Sequence, residues 1–192
     1  MAKISTYASP TPPLVTDYLL GTDVADNYST KNFKISDVFS LTVKGSFGDT
    51  TNQSCAFTAT PTGVKFNSSL ITNGTVVVTN IGGLPASFTV SRNGIYKVSF
   101  LPQFYKSTAG DANVDIWIRV NGTNLVGSNR TLVVKGSGVY TITNLEYYVS
   151  MSAYEYFEIV WMTSDTGAQL TTSAATGYKP SGYSAAALIG QV

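Results

Sequence analysis

The chain has 192 residues, 43% of them hydrophobic and only 12% charged, with a formal net charge of +1. That suits one packed domain plus an appendage; it is too apolar and too weakly charged for disorder, and no Lys/Arg cluster offers an electrostatic footprint for nucleic acid or an anionic membrane. Histidine is absent and Cys55 is the single cysteine, which excludes His-dependent catalysis, Cys- or His-caged metals and an intrachain disulfide.

The first residues, MAKISTYASPTPP, lack the apolar run of a signal peptide. No stretch of about twenty apolar residues follows, so a soluble protein made in the cytoplasm, without a secretion signal, is expected. Residues 1–40 read as an extended arm. Pro10, Pro12 and Pro13 favour extended backbone. Apolar residues then come in bursts, Leu14-Val15, Tyr18-Leu19-Leu20, Phe33, Ile35 and Val38-Phe39, with Gly21 and Asn27 between them. Ser36-Asp37 is placed to cap one short helical turn. Such bursts bury no core of their own, and a segment of this kind packs on a partner. Leu14, Tyr18, Leu19, Leu20, Phe33 and Ile35 are the candidate attachment residues.

Residues 41–192 read as a β domain. VVVTN (76–80) and SFTVS (87–91) are rich in β-branched and aromatic residues, and Asn93-Gly94 marks a turn. IYKVSFLPQFYK (95–106) alternates with period two, with Pro102 implying a bulge or an edge. In VDIWIRVNG (114–122), Ile116, Ile118 and Val120 share one face and Asp115, Trp117 and Arg119 the other, and Asn121-Gly122 closes the strand. Further strands are expected at 130–134, 139–151, 156–163, 168–172 and 184–192. Many short strands separated by turn residues, with no amphipathic helix, indicate a sandwich or barrel. In 139–151 and 156–163 both faces carry large residues: Ile142, Tyr147, Val149 and Met151 against Tyr148, and Phe157, Ile159 and Trp161 against Tyr156, Val160 and Met162. A half-solvated strand alternates apolar with polar, so the second face is expected to meet another copy of the chain. Tyr148, Tyr156, Val160 and Met162 are the interface candidates.

No catalytic, metal or cofactor site emerges. Glu146 and Glu158 could fall on neighbouring strands and form a candidate carboxylate pair for glycoside hydrolysis; solvation, or pairing with Lys97, Arg119 or Arg130, is the simpler expectation. Asp111, Asp115 and Asp165 lack the repeated spacing of a calcium loop. Asn-x-Ser/Thr triplets at Asn27, Asn52, Asn67, Asn73, Asn121 and Asn129 arise by chance in a chain this rich in Asn, Ser and Thr. The aromatic residues on strands serve core or interface, or a platform for sugars. Tyr105, Tyr178 and Tyr183, read as loop residues, are the receptor-facing candidates. Cys55 reads as a small buried hydrophobe.

NGIYKVSFLPQFYKS (93–107), VDIWIRVNGTNLVGSNRTLVV (114–134), AYEYFEIVWMTSDTGAQL (153–170) and the closing ALIGQV (187–192) together resemble the C1q/TNF-like jelly rolls at the ends of virus and bacteriophage structural proteins. The resemblance spans roughly residues 75–192. LLGTD and TKNFKISD, within 19–37, are similar to short N-terminal segments of phage fibre proteins. These resemblances imply an all-β jelly-roll homotrimer with the N-terminus fixed to the virion and the head displayed outward; without a Gly-x-y repeat, any stalk is short. The expected function is that of a virion structural protein, a short trimeric tail fibre or appendage whose partners are tail or baseplate proteins and a host-surface glycan. One alternative is a capsid decoration protein whose arm clamps capsid subunits. Another, from a different class, is a free carbohydrate-binding lectin or glycan-active enzyme.

Overall fold

The computed structural model describes residues 18–34, 43–72, 76–79 and 87–192. The chain divides into two compact units, residues 1–42 and 43–192. Among the described residues the fold is all-β; a 3-10 turn at Val24–Asp26 is the one helical element.

The described part of the first unit is a hairpin. Strand β1 (Tyr18–Asp23) pairs antiparallel with β2 (Ser29–Lys34), Leu19 facing Phe33 and Asp23 facing Ser29. Asn27 and Tyr28 take left-handed φ of 47° and 59° in the connection. Asp26 accepts from Ser29 Oγ at 3.0 Å and pairs with Lys31 at 2.7 Å, which closes the turn. Gly21 lies within a strand, facing Lys31, and not between segments; a Cβ there would come 3.0 Å from the Phe33 ring. The expected helical turn at Ser36-Asp37 falls outside the described residues.

The strands of the second unit are β3 (Lys44–Asp49), β4 (Gln53–Ser54), β5 (Thr62–Gly63), β6 (Ser68–Thr72), β7 (Val76–Thr79), β8 (Ser87–Val90), β9 (Gly94–Lys106), β10 (Ala112–Val120), β11 (Thr123–Asn124), β12 (Arg130–Val134), β13 (Val139–Ile142), β14 (Leu145–Met151), β15 (Tyr156–Thr163), β16 (Ala168–Leu170) and β17 (Ala185–Gln191). They form two antiparallel sheets. In the seven-stranded sheet β10 lies between β15 and the β11 and β12 segments, and β15 continues to β5 and to β8–β7. In the eight-stranded sheet β9 is flanked by β13 and β14 on one side and by β16 and β17 on the other, and β17 continues to β3–β6. β3 pairs with β17, and β8 in the other sheet pairs with β15. Pairing early strands with late ones, in two sheets, is consistent with a jelly roll.

The core lies between the sheets. Tyr96, Val98, Phe100 and Phe104 of β9 meet Val114, Ile116 and Ile118 of β10 and Phe157, Ile159 and Trp161 of β15, all with no exposed surface. Phe88 packs on Phe47 and on Phe157 at 5.1 Å between ring centroids, and Phe104 meets Trp161 at 5.5 Å. Each such pair adds about 0.5–1.5 kcal/mol to plain burial. The Tyr147 hydroxyl, whose pKa burial pushes up to about 12, donates to Ile116 O across the two sheets at 3.3 Å.

Three local features follow from residue chemistry. Asn121 and Gly122, at φ 47° and 78°, form the two-residue turn from β10 to β11, as the Asn-Gly preference of such hairpins requires. Asn93-Gly94 instead carries the chain from one sheet to the other, since β8 and β9 are not paired. Pro102 sits inside β9, where it cannot donate. Gln103 N–H turns toward β17 and reaches Ser184 O at 2.9 Å, so the missing donor of Pro102 falls on the opposite side. There the ladder passes from β14 (Leu145 facing Phe100) to β13 (Ile142 facing Gln103) and leaves Thr143 and Asn144 out of it. The single strand expected over 139–151 is thereby corrected to two.

Candidate interaction surface

The outer face of the eight-stranded sheet is built from the alternate residues of strands whose other residues fill the core. On β9 these are Ile95, Lys97, Ser99, Leu101, Gln103 and Tyr105; on β17, Ala186, Leu188 and Gly190; on β14, Glu146, Tyr148 and Ser150. Such positions are ordinarily polar when a sheet faces water. Here Ile95, Leu101 and Leu188 are exposed, as is Tyr148 at 62%. Register aligns Ile71, Ser46, Leu188, Ser99 and Glu146 in one row across five strands. Tyr105 faces Tyr140, their ring centroids 4.8 Å apart. Set into this face is one ion pair, Lys97 to Glu146 at 2.7 Å. That bond holds the Glu146 carboxyl below, and the Lys97 ammonium above, its ordinary value.

Of the interface residues expected from the sequence, Tyr148 lies on this face. Tyr156, Val160 and Met162 lie on β15, inside the seven-stranded sheet. Val160, at 1% exposure, is covered by its own chain, as is Trp117 opposite it on β10 at 8%. The Trp117 indole N–H is fixed to Asn124 Oδ1 at 2.8 Å. The second apolar face of β15 is therefore answered within the chain, at Val160 at least. Ile142, expected inward with Tyr147, is exposed because the register runs unbroken from β14 to β13: it faces Gln103 as Tyr148 faces Lys97, on the outward side of the alternation. Sequence reading passed over Ile95, Leu101 and Leu188; the signal was their position between core residues of the same strands.

The attachment candidates fall on the hairpin where they are described. Tyr18, Leu19 and Leu20 are exposed and Phe33 is half-buried; Leu14 and Ile35 lie outside the described residues. Of the receptor-facing candidates, Tyr178 is wholly exposed and Tyr183 half-buried. Tyr105 is a strand residue of β9, not a loop residue.

The carboxylates are dispersed. Glu146 and Glu158 lie in different sheets, so the pair considered from sequence is not brought together; Glu158 stands 4.0 Å from Arg119. Asp111 pairs with Lys135 at 2.6 Å, Asp115 accepts from Thr131 Oγ1, and Asp165 pairs with Lys106 at 3.0 Å. Among the described residues no group of three or more His, Cys, Asp or Glu is placed to hold a metal ion. Cys55 is buried and free, its thiol pKa raised by desolvation. The sequence matches no family model and no curated protein.

Proposed function

We propose that the chain is a virion structural protein, a short homotrimeric tail fibre or appendage, with a C1q/TNF-like jelly-roll head over residues 41–192 and residues 1–40 attaching it to the particle. The observation that carries this reading is the apolar outer face of the eight-stranded sheet. Exposed Ile71, Ile95, Leu101, Leu188 and Tyr148 on solvent-facing strand positions, set among Ser46, Ser99 and the Lys97–Glu146 pair, suit a surface that another chain covers. The strand order supports the jelly roll, and the resemblance of the β segments to heads of phage proteins supports the trimer.

The attachment role rests on Leu19, Leu20 and Phe33 of the hairpin. A two-stranded hairpin is marginal in water by itself, and Leu19 and Leu20 are exposed. Burial on a virion partner would contribute about 1–3 kcal/mol for each large apolar side chain, and three anchors on one trimer bind with avidity.

Replacing Leu19, Leu20 and Phe33 with Ser tests the reading. The expected result is a folded trimer absent from purified particles, where immunogold labelling places the unaltered protein on the tail. Normal incorporation of the variant refutes the attachment role, and label confined to the capsid makes the protein a decoration protein instead.

A further inference from the structure

One depression of the second unit is set apart by the way its walls are held. Thr50, Thr172, Ser173, Ser181, Gly182 and Tyr183 line it, and among the described residues no charged side chain does. Most of these belong to the long connection between β16 and β17. Ser173 and Gly182 exchange backbone hydrogen bonds at 3.2 and 2.9 Å, which pins the connection at its base. The N–H and hydroxyl of Thr172 both donate to Asn52 Oδ1, at 2.9 and 3.1 Å. Thr176 N–H closes a turn on Lys179 O at 2.9 Å, and that turn carries the exposed Tyr178. Tyr183 is seated on Gly48, where any Cβ would stand 2.8 Å from its ring. Gly182 is equally constrained, because a Cβ there would meet Ser173 Oγ at 2.5 Å. The walls are thus fixed before any ligand arrives, and ordering costs that weaken binding by mobile loops are already met.

The chemistry of those walls is specific. Among the described residues the hydroxyls of Ser173 and Ser181 make no hydrogen bond, so each has a donor and acceptors to offer. Beside them is a half-exposed phenol ring. Uncommitted hydroxyls next to an aromatic ring, without charge, suit a neutral ligand that combines hydroxyl groups with an apolar C–H face. They suit neither an anion, which wants Arg, Lys or a helix end, nor an acyl chain, which wants an apolar wall.

We infer that this depression is a binding site for a neutral saccharide, with Tyr183 packing on sugar C–H groups and Ser173 and Ser181 exchanging hydrogen bonds with sugar hydroxyls. The inference deepens the proposed display role of the head and rests on it, since it names the class of ligand the head would meet.

Saturation-transfer NMR on the full chain with glucose, galactose, mannose, N-acetylglucosamine and N-acetylgalactosamine, each at millimolar concentration, tests it. Transfer to the ring protons of at least one sugar is expected. It should fall about tenfold, roughly 1.4 kcal/mol, in a Ser173→Ala/Ser181→Ala double variant whose melting temperature is unchanged. Gly48→Ala, which displaces Tyr183 from its seat, should lower it as well; where that variant fails to fold, the double variant decides. Absence of transfer to every sugar overturns the inference, and so does transfer that survives in the double variant. Sedimentation of the same samples reads the oligomer separately: a trimer without transfer removes the saccharide site alone, and a monomer with transfer removes the trimer alone.

Discussion

Lys106 ends β9 with no exposed surface. Its ammonium is within 2.5 Å of Thr108 Oγ1, 2.9 Å of Ala109 O and 3.0 Å of Asp165 Oδ2, so all three donors of a buried cation are occupied. The same group draws together the loops after β9 and β15. Lys106→Met keeps the length of the side chain and removes every one of these bonds. It should cost about 1.5–3 kcal/mol, because the Thr108 and Ala109 oxygens lose a charged donor while the part-exposed Asp165 carboxylate can return to water, and urea unfolding at neutral pH will read it. Asp165 supplies the pH dependence. Its carboxyl is held below the ordinary range first by the Gly167 N–H at 2.8 Å and then by Lys106. A depressed folded pKa means a contribution fully present above the ordinary carboxylate value of about 4 and lost as pH falls through the folded one. Asp165→Asn should therefore lower stability at neutral pH and flatten its decline below about pH 4. An acid limb that keeps its slope in the variant would show that this pair does not shape it.

Strand β17 lies between β9 and β3 and forms ladders with both. Two of its three inward side chains, Ala185 and Ala187, are small, and Ile189 is the one large one, so much of its contribution comes from backbone pairing and from covering the sheet interior. Deleting residues 186–192 opens an edge on each neighbour. The loss should approach a domain's whole margin of about 5–15 kcal/mol; circular dichroism will show no cooperative transition in the truncated protein. A soluble product melting within a few degrees of the full chain would contradict this topology. RTLVV and YFEIVWMT were legible as strands to the residue, because β-branched and aromatic runs bounded by turn residues leave little choice. KGSFGD of β3 was not, since two glycines and one aromatic form a strand only when β17 and β6 pair with it. The hairpin was also missed: YLLGTD and STKNFK do not alternate cleanly, and their turn asks left-handed φ of Tyr28. Tyr148 was legible as a surface residue because it interrupts a core alternation. Val160 misled because a strand covered on both faces by its own chain reads, in sequence, like a strand awaiting a partner.

For the molecule as a whole, the apolar outer face of the eight-stranded sheet makes oligomeric state the decisive observable. Leu101 and Leu188 stand on it, on adjacent strands. In a trimer that buries this face, the full chain sediments at three times its 20.4 kDa mass, and Leu101→Lys with Leu188→Lys gives a folded monomer, because a charge without a partner in a buried interface costs several kcal/mol. Unaltered protein that sediments as a folded monomer at micromolar concentration would refute the trimer. The pairing of β3 with β17 bears on time as well as stability. Asp49 must find Ala185, so the eight-stranded sheet cannot close during synthesis until almost all of this sequence has left the ribosome. Closing so large a loop is slow, and folding on the order of milliseconds to seconds is expected of such non-local β topologies. Through that interval β9 waits with one long edge unpaired, and the nascent protein is most exposed to aggregation at the moment its last strand is still missing.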